Sequence, residues 1–124
     1  MNDKLVLAMR IILGAIFLVL GLNGFLQFIP MPPLNQASMD FMMALGASGY
    51  LIPLLKITEI VAGVLLLIGK KVPLALILLA PIVVNIALFH LVLSKSGYVV
   101  TSAIVVMQLV LMVANKDKYQ GLLD

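Results

Sequence analysis

The run VPLALILLAPIVVNIALFHLVL, residues 72–93, carries no formal charge when His90 is neutral. A helix needs roughly 20 mostly apolar residues to cross the hydrocarbon core of a bilayer, so this run predicts a membrane span. Three further runs share its length and apolar character. They cover residues 5–26, interrupted only by Arg10; residues 50–69, which contain Lys56 and Glu59; and residues 98–115, which are uncharged. The sequence therefore predicts four spans.

The composition of the whole chain agrees with this prediction. Of its 124 residues, 64% are hydrophobic and only 10% are charged, and the mean hydropathy is +1.24. Ordinary soluble domains carry about a quarter charged residues, so the natural solvent of this chain is lipid. The absence of cysteine excludes disulfides and thiolate chemistry, and a net charge of +3 without a basic stripe does not suit nucleic acid.

The connections between the runs predict an all-α fold, a transmembrane four-helix bundle formed by a single membrane domain over residues 1–124. Short connections place consecutive helices antiparallel, and the unbroken apolar runs lack the alternation of a barrel strand. The exception is residues 27–49, where Pro30, Pro32 and Pro33 should end the first helix. Residues 35–45 then predict a short amphipathic helix in the first external loop, either a surface connector or a lid over a cavity.

The basic residues predict the orientation of the bundle. One end of it holds five lysines, whereas the other holds only Lys95. Cytoplasmic loops carry the excess of lysine and arginine, so both termini should be cytoplasmic and the loop over residues 27–49 external, in a bacterial inner membrane. The five lysines are Lys4, Lys70, Lys71, Lys116 and Lys118.

Polar residues inside the spans are the candidates for function, because ionisable groups in lipid are costly and face the bundle interior. Lys56 and Glu59 are three residues apart and can form an ion pair on one helix face. At about 1.5 Å per residue, they lie about 9 and 13 Å from the outer end, and Asn85 about 12 Å. His90 lies near 5 Å. These four residues predict a ligand-binding cavity in the outer half of the bundle, with the external loop over its mouth.

Two features limit that prediction. Asn85 and His90 are five residues apart, about 140° around an α-helix, so they should not point at the same spot. The polar groups could also satisfy one another and serve only to lock the helices together, including Thr101, Ser102 and Gln108 of the fourth span. A single histidine and no cysteine make a metal site unexpected.

Other residues are assigned to packing between helices. Arg10, Asn23 and Gln108 are expected to be structural or interhelical, and Arg10 begins a narrow face on the first helix that is rich in small residues. Glycines on such a face let a neighbouring helix approach closely. This face comprises Arg10, Gly14, Phe17, Gly21 and Gly24.

Several short motifs, in their order and spacing, resemble those of the DoxX-like family. The resemblance covers nearly the whole chain. Its motifs lie at residues 9–14, 21–25, 28–30, 54–63, 73–75, 81–86 and 89–90. The resemblance implies a bacterial four-helix membrane protein. Some relatives are linked to membrane oxidoreductase assemblies, including thiosulfate:quinone oxidoreductase, which implies a quinone as ligand and a membrane or periplasmic redox partner.

Three functions therefore remain open from the sequence. The first is a membrane component of a redox system that binds a quinone-like or other small amphipathic molecule, with electrons supplied from elsewhere because the chain carries no cofactor motif. The second is a small proton-coupled transporter that uses Glu59 as its buried carboxylate. The third is an accessory membrane protein without a ligand. The sequence leaves open whether the chain is an enzyme and whether it forms a homo-oligomer.

Overall fold

The computed structural model describes residues 2–28 and 34–123, and within these ranges every regular element is helical. Pro30, Pro32 and Pro33, which were expected to end the first helix, lie outside the described residues. The helices are α1 (Asp3–Leu26), α2 (Gln36–Ala47), α3 (Leu51–Ile68), α4 (Val72–Leu88), α5 (Tyr98–Ala114) and α6 (Gln120–Leu123). A π-helical segment, Phe89–Ser94, continues α4, and a 3-10 helix, Lys116–Tyr119, precedes α6.

The long helices satisfy the requirements of a membrane protein. Three of them are each long and apolar enough to cross a bilayer: α1, α3, and α4 together with its π-helical segment. The 17 residues of α5 meet the same length requirement only together with the segment that follows, which is bent by 75°. All bounds lie within two residues of those expected from the apolar runs. The number of crossings stays a prediction.

The four long helices form a bundle in which each contacts two neighbours. The main contacts join α1 to α3, α3 to α4, α4 to α5, and α5 back to α1. Apolar side chains from all four fill the centre, as burial of apolar surface requires. The largest fully buried side chains of this core are Phe17, Leu13, Leu66, Leu76, Leu79 and Leu111.

The closest approach in the bundle is between α1 and α3, at a pair of facing glycines. A Cβ atom on Gly63 would lie 2.7 Å from the backbone nitrogen of Leu18 and 2.8 Å from the carbonyl oxygen of Gly14. A Cβ atom on Gly21 would likewise meet Ile60. The small-residue face of α1 therefore packs against α3, as expected for glycines that admit a neighbouring backbone.

The residues assigned to interhelical packing are placed as follows. The side-chain amide of Gln108, on α5, donates to the carbonyl oxygen of Leu76 on α4 at 2.8 Å. The guanidinium of Arg10 lies against Gly69 at the end of α3. The carbonyl of Asn23 accepts the backbone N–H of Gln27, whose left-handed conformation ends α1. Gln108 and Arg10 thus connect neighbouring helices, and Asn23 contributes to a helix end.

The end of the bundle that carries α2 is organised by two polar side chains that flank this helix. Asn35 accepts the N–H of Ser38 at 2.9 Å and so caps the helix, while its amide group donates to the carbonyl oxygen of Leu93 at 2.7 Å. At the other end, the Ser48 hydroxyl donates to Leu45 and accepts from the N–H of Leu51. α2 is therefore fixed to the end of α4 and to the beginning of α3.

Candidate functional site

A cavity of about 540 Å³ lies between α3 and α4, beneath α2. Its walls come from α3, α4 and the π-helical segment, and its cover from α2. Most of the lining is apolar, with Lys56, Thr58, Glu59, Asn85 and His90 as the polar exceptions. The apolar lining residues are Phe41, Met42, Leu45, Ile52, Leu54, Leu55, Leu78, Pro81, Ile82, Ile86 and Phe89.

Lys56 and Glu59 form an ion pair on the α3 wall. The Lys56 Nζ lies 3.4 Å from Glu59 Oε2, as their spacing of three residues on one helix allows. The Glu59 side chain is only 7% exposed, and that of Lys56 24%. The aliphatic stem of Lys56 lies over Gly24 of α1, where a Cβ atom would overlap it. The absence of a side chain on Gly24 therefore gives Lys56 the room to reach Glu59.

His90 is held in a defined orientation on the opposite wall. Its Nδ1 lies 2.8 Å from the carbonyl oxygen of Ile86. Because a carbonyl can only accept, Nδ1 carries the proton, and the Nε2 of the neutral ring is left as a hydrogen-bond acceptor. The ring also packs against Gly97, which lies in the left-handed region with a φ of 71°.

Asn85 and His90 line the same cavity, although an α-helical spacing of five residues separates their directions by about 140°. Lining one cavity does not require the two side chains to point at the same spot, so that expectation stays a prediction. His90 belongs to the π-helical segment that begins at Phe89, whereas Asn85 belongs to α4. The cavity is also wide enough to reach both side chains.

The cover of the cavity contains residues that the sequence did not single out. Phe41, Met42 and Leu45 of α2 line it, and the ring of Phe41 lies 5.8 Å from that of Phe89, centroid to centroid. The lid interpretation of this helix did not identify these side chains. The apolar face of this short amphipathic helix was visible in the sequence. The π-helical segment against which that face packs had no sequence signature.

The polar residues of α5 do not contribute to the lining. Gln108 bonds to the α4 backbone, and its buried Oε1 has no hydrogen-bond partner within residues 2–28 and 34–123. Thr101 is also buried and does not line the cavity. Among the described residues that line the cavity, none belongs to α1 or α5. The polar lining of the cavity is therefore supplied by α3, α4 and the π-helical segment.

The cavity reaches the surface of the bundle between α3 and α4. Leu54, Pro81 and Asn85 line it and are also exposed at that surface. The cavity is therefore not fully enclosed by the helices around it.

A comparison with protein families matches the model described as DoxX to residues 5–91. The chain belongs to the DoxX family. The matched segment runs from α1 to the histidine of the cavity, so every lining residue falls within it. Neither the comparison with curated proteins nor the comparison with solved structures gave a match. Family membership supports a small membrane protein, in agreement with the long apolar helices of the bundle.

Proposed function

We propose that this DoxX protein binds a small amphipathic molecule, such as the headgroup of a quinone, as a membrane component of a redox system. The observation that carries the proposal is the cavity whose apolar wall presents Lys56, Glu59, Asn85 and His90. Its volume falls within the range of about 300–1,000 Å³ that is typical of small-molecule sites. Electrons would come from a membrane or periplasmic partner, because the chain has no cysteine with which to carry them.

The hydrogen-bonding groups of the cavity suit a headgroup with oxygen atoms at opposite positions. Lys56 Nζ and the Asn85 amide can donate to a carbonyl oxygen, while His90 Nε2 and Glu59 can accept from a hydroxyl. The apolar surface formed by residues such as Leu78 and Pro81 would contact a hydrocarbon tail. These contacts are part of the proposal, and the four polar residues stay candidates for binding the ligand.

A second function is favoured by the burial of Glu59. A carboxylate that is paired with lysine inside a span, and that borders a cavity, is a suitable proton carrier for a small transporter. Reconstitution into proteoliposomes separates the two proposals, since a transporter would move substrate across the bilayer in a proton-dependent manner, whereas a binding protein would not. An accessory protein without a ligand would show neither binding nor flux.

We expect Asn85→Leu to weaken quinone binding about tenfold, the cost of roughly one lost hydrogen bond to the ligand. Asn85 is exposed, and the described structure gives its side chain no hydrogen bond that the substitution would break. The variant should therefore fold normally. Equilibrium dialysis of the purified protein in nanodiscs against a labelled short-tailed quinone measures the affinity.

Asn115→Leu is the matched control for this experiment. Asn115 lies at the end of α5, where its amide donates to Leu111, and it does not line the cavity. Its replacement should leave quinone affinity unchanged. If the wild-type protein shows no saturable binding, or if both substitutions weaken it equally, the cavity is not a quinone site.

The orientation in the membrane is also a proposal, which the arrangement of the basic residues supports. The Tyr119 hydroxyl donates to the carbonyl oxygen of Pro73 at 2.9 Å, so the segment after α5 lies at the same end as the α3–α4 turn. The guanidinium of Arg10 lies at that end too, against Gly69. The lysine-rich elements are thus gathered at one end, and α2 and Lys95 lie at the other. Both termini would face the cytoplasm of a bacterial cell.

Single cysteines test this topology directly, because the native chain has none. An impermeant maleimide should label Gln36→Cys in intact cells, since Gln36 begins the external helix α2 and is exposed. The exposed Gln120, substituted as Gln120→Cys, should react only after the cells are broken. The reverse pattern would invert the orientation, and labelling of both in intact cells would imply an even number of crossings between the two residues, in place of three.

A further inference from the structure

The end of the bundle opposite the cavity holds Arg10, whose guanidinium has no hydrogen-bond or ion-pair partner among the described residues. The guanidinium of Arg10 lies so close to Gly69 that a Cβ atom there would be 2.7 Å from Nη1. Its Nε is buried and has no hydrogen-bond partner in the described part of the chain. The ion pair found among the described residues joins Lys56 to Glu59, in the wall of the cavity. Arg10 therefore keeps an uncompensated charge and unused donors.

Further positive charge surrounds this guanidinium. Gly69 ends α3 in the left-handed conformation and is followed directly by Lys70 and Lys71, which are both exposed. The bond from Tyr119 to Pro73 brings the 3-10 helix, with Lys116 and Lys118, against the same turn. Of the acidic residues described, Asp3 and Asp117 belong to this end, and both are exposed.

We infer that Arg10, Lys70 and Lys71 form a binding site for a phosphate group. The planar fork of a guanidinium matches the geometry of phosphate oxygens, and the two lysines add charge without competing for the same bonds. Basic pockets between transmembrane helices on the cytoplasmic side bind the headgroups of anionic lipids. Arg10 lies about 10 Å along α1 from its first residue, a depth from which its long side chain reaches the headgroup level.

Two sources can supply this chemistry: the headgroup of an anionic phospholipid and free phosphate from the aqueous side. Thermal unfolding of the purified protein in detergent distinguishes them. One arm adds phosphatidylglycerol, with phosphatidylcholine as its neutral counterpart, and the other adds millimolar inorganic phosphate against chloride at equal ionic strength. A ligand that binds only the folded state raises the midpoint by several degrees when it is well above its dissociation constant.

The wild-type protein is expected to respond to phosphatidylglycerol and not to phosphatidylcholine. Lys70→Gln combined with Lys71→Gln should lose at least half of the shift, and Arg10→Gln should lose most of it. Lys95→Gln removes the same charge from the opposite end and should keep the full shift. Native mass spectrometry should show phosphatidylglycerol retained by the wild type and by Lys95→Gln, but not by the Arg10 variant.

The remaining outcomes are equally decisive. A shift with inorganic phosphate alone would assign the site to a soluble phosphate, and a shift with lipid alone to the membrane; both support the phosphate site. Equal shifts with phosphatidylcholine, or an equal loss in Lys95→Gln, would overturn it. Arg10→Gln can fail to fold if Arg10 also stabilises the end of α3. The variant with both Lys70→Gln and Lys71→Gln then tests the phosphate site, because both lysines are exposed and their replacement should not disturb folding.

Discussion

Gly63→Ala is expected to lower the free energy of unfolding by about 3 kcal/mol, at the upper end of the usual cost of overpacking. The added methyl group would lie 2.7 Å from the backbone nitrogen of Leu18 and 2.8 Å from the carbonyl oxygen of Gly14. Both are backbone atoms, which cannot rotate away as a side chain can. The substitution therefore forces α1 and α3 apart along their closest contact. Unfolding of the purified protein in detergent measures the loss.

Gly46→Ala provides the matched control within the same chain. Gly46 lies inside α2, and nothing lies within 4 Å of the position that its Cβ atom would occupy. Alanine favours a helix over glycine, so this change should be neutral or stabilising by up to about 1 kcal/mol. Equal destabilisation by the two substitutions would show that the contact between α1 and α3 is not as close as described.

The second large effect concerns the ion pair in the cavity wall. Lys56→Met should cost about 3 kcal/mol of unfolding free energy, because it leaves the Glu59 carboxylate, 7% exposed, without its partner. Glu59→Gln should likewise destabilise the fold by removing the counter-charge of Lys56. The double variant should be less destabilised than the sum of the single variants, because neither charge is then left unpaired.

A double-mutant cycle, measured by unfolding in detergent, gives the coupling energy of the pair. Lys95→Met is a suitable control, since Lys95 is exposed and should lose little stability when replaced. Additive effects of Lys56→Met and Glu59→Gln would mean that the two side chains do not interact in the membrane.

The helices of this fold could be predicted because each depends on a strong local signal. A run such as residues 72–93 is too apolar for water and long enough for a bilayer, so its identity requires no knowledge of neighbours. The face shared by Lys56 and Glu59 follows equally from their spacing on one helix. The glycines of α1 indicated a close helix contact, although nothing in their spacing identified Gly63 of α3 as the opposing residue.

The details that depend on tertiary contacts could not be predicted in the same way. Asn35 was recognisable as polar, but its bond to the carbonyl of Leu93 joins residues 58 positions apart. Gln108 was expected to be structural or interhelical, but nothing in the sequence identified the backbone carbonyl of Leu76 on α4 as its partner. The π-helical segment, on which Phe89 contacts Phe41 of α2, likewise had no signature in the sequence.

The unequal lengths of two adjacent helices have a consequence for the surrounding lipid. With 24 residues, α1 is about 36 Å long, and with 17 residues α5 is about 26 Å, on either side of the roughly 30 Å of a typical hydrocarbon core. A long span is accommodated by tilt and a short one by local thinning of the bilayer. If both helices cross the bilayer, we expect the lipid beside α5 to be thinner than the lipid beside α1. Such a mismatch would draw the protein toward thinner membrane regions or toward other proteins with a similarly short span.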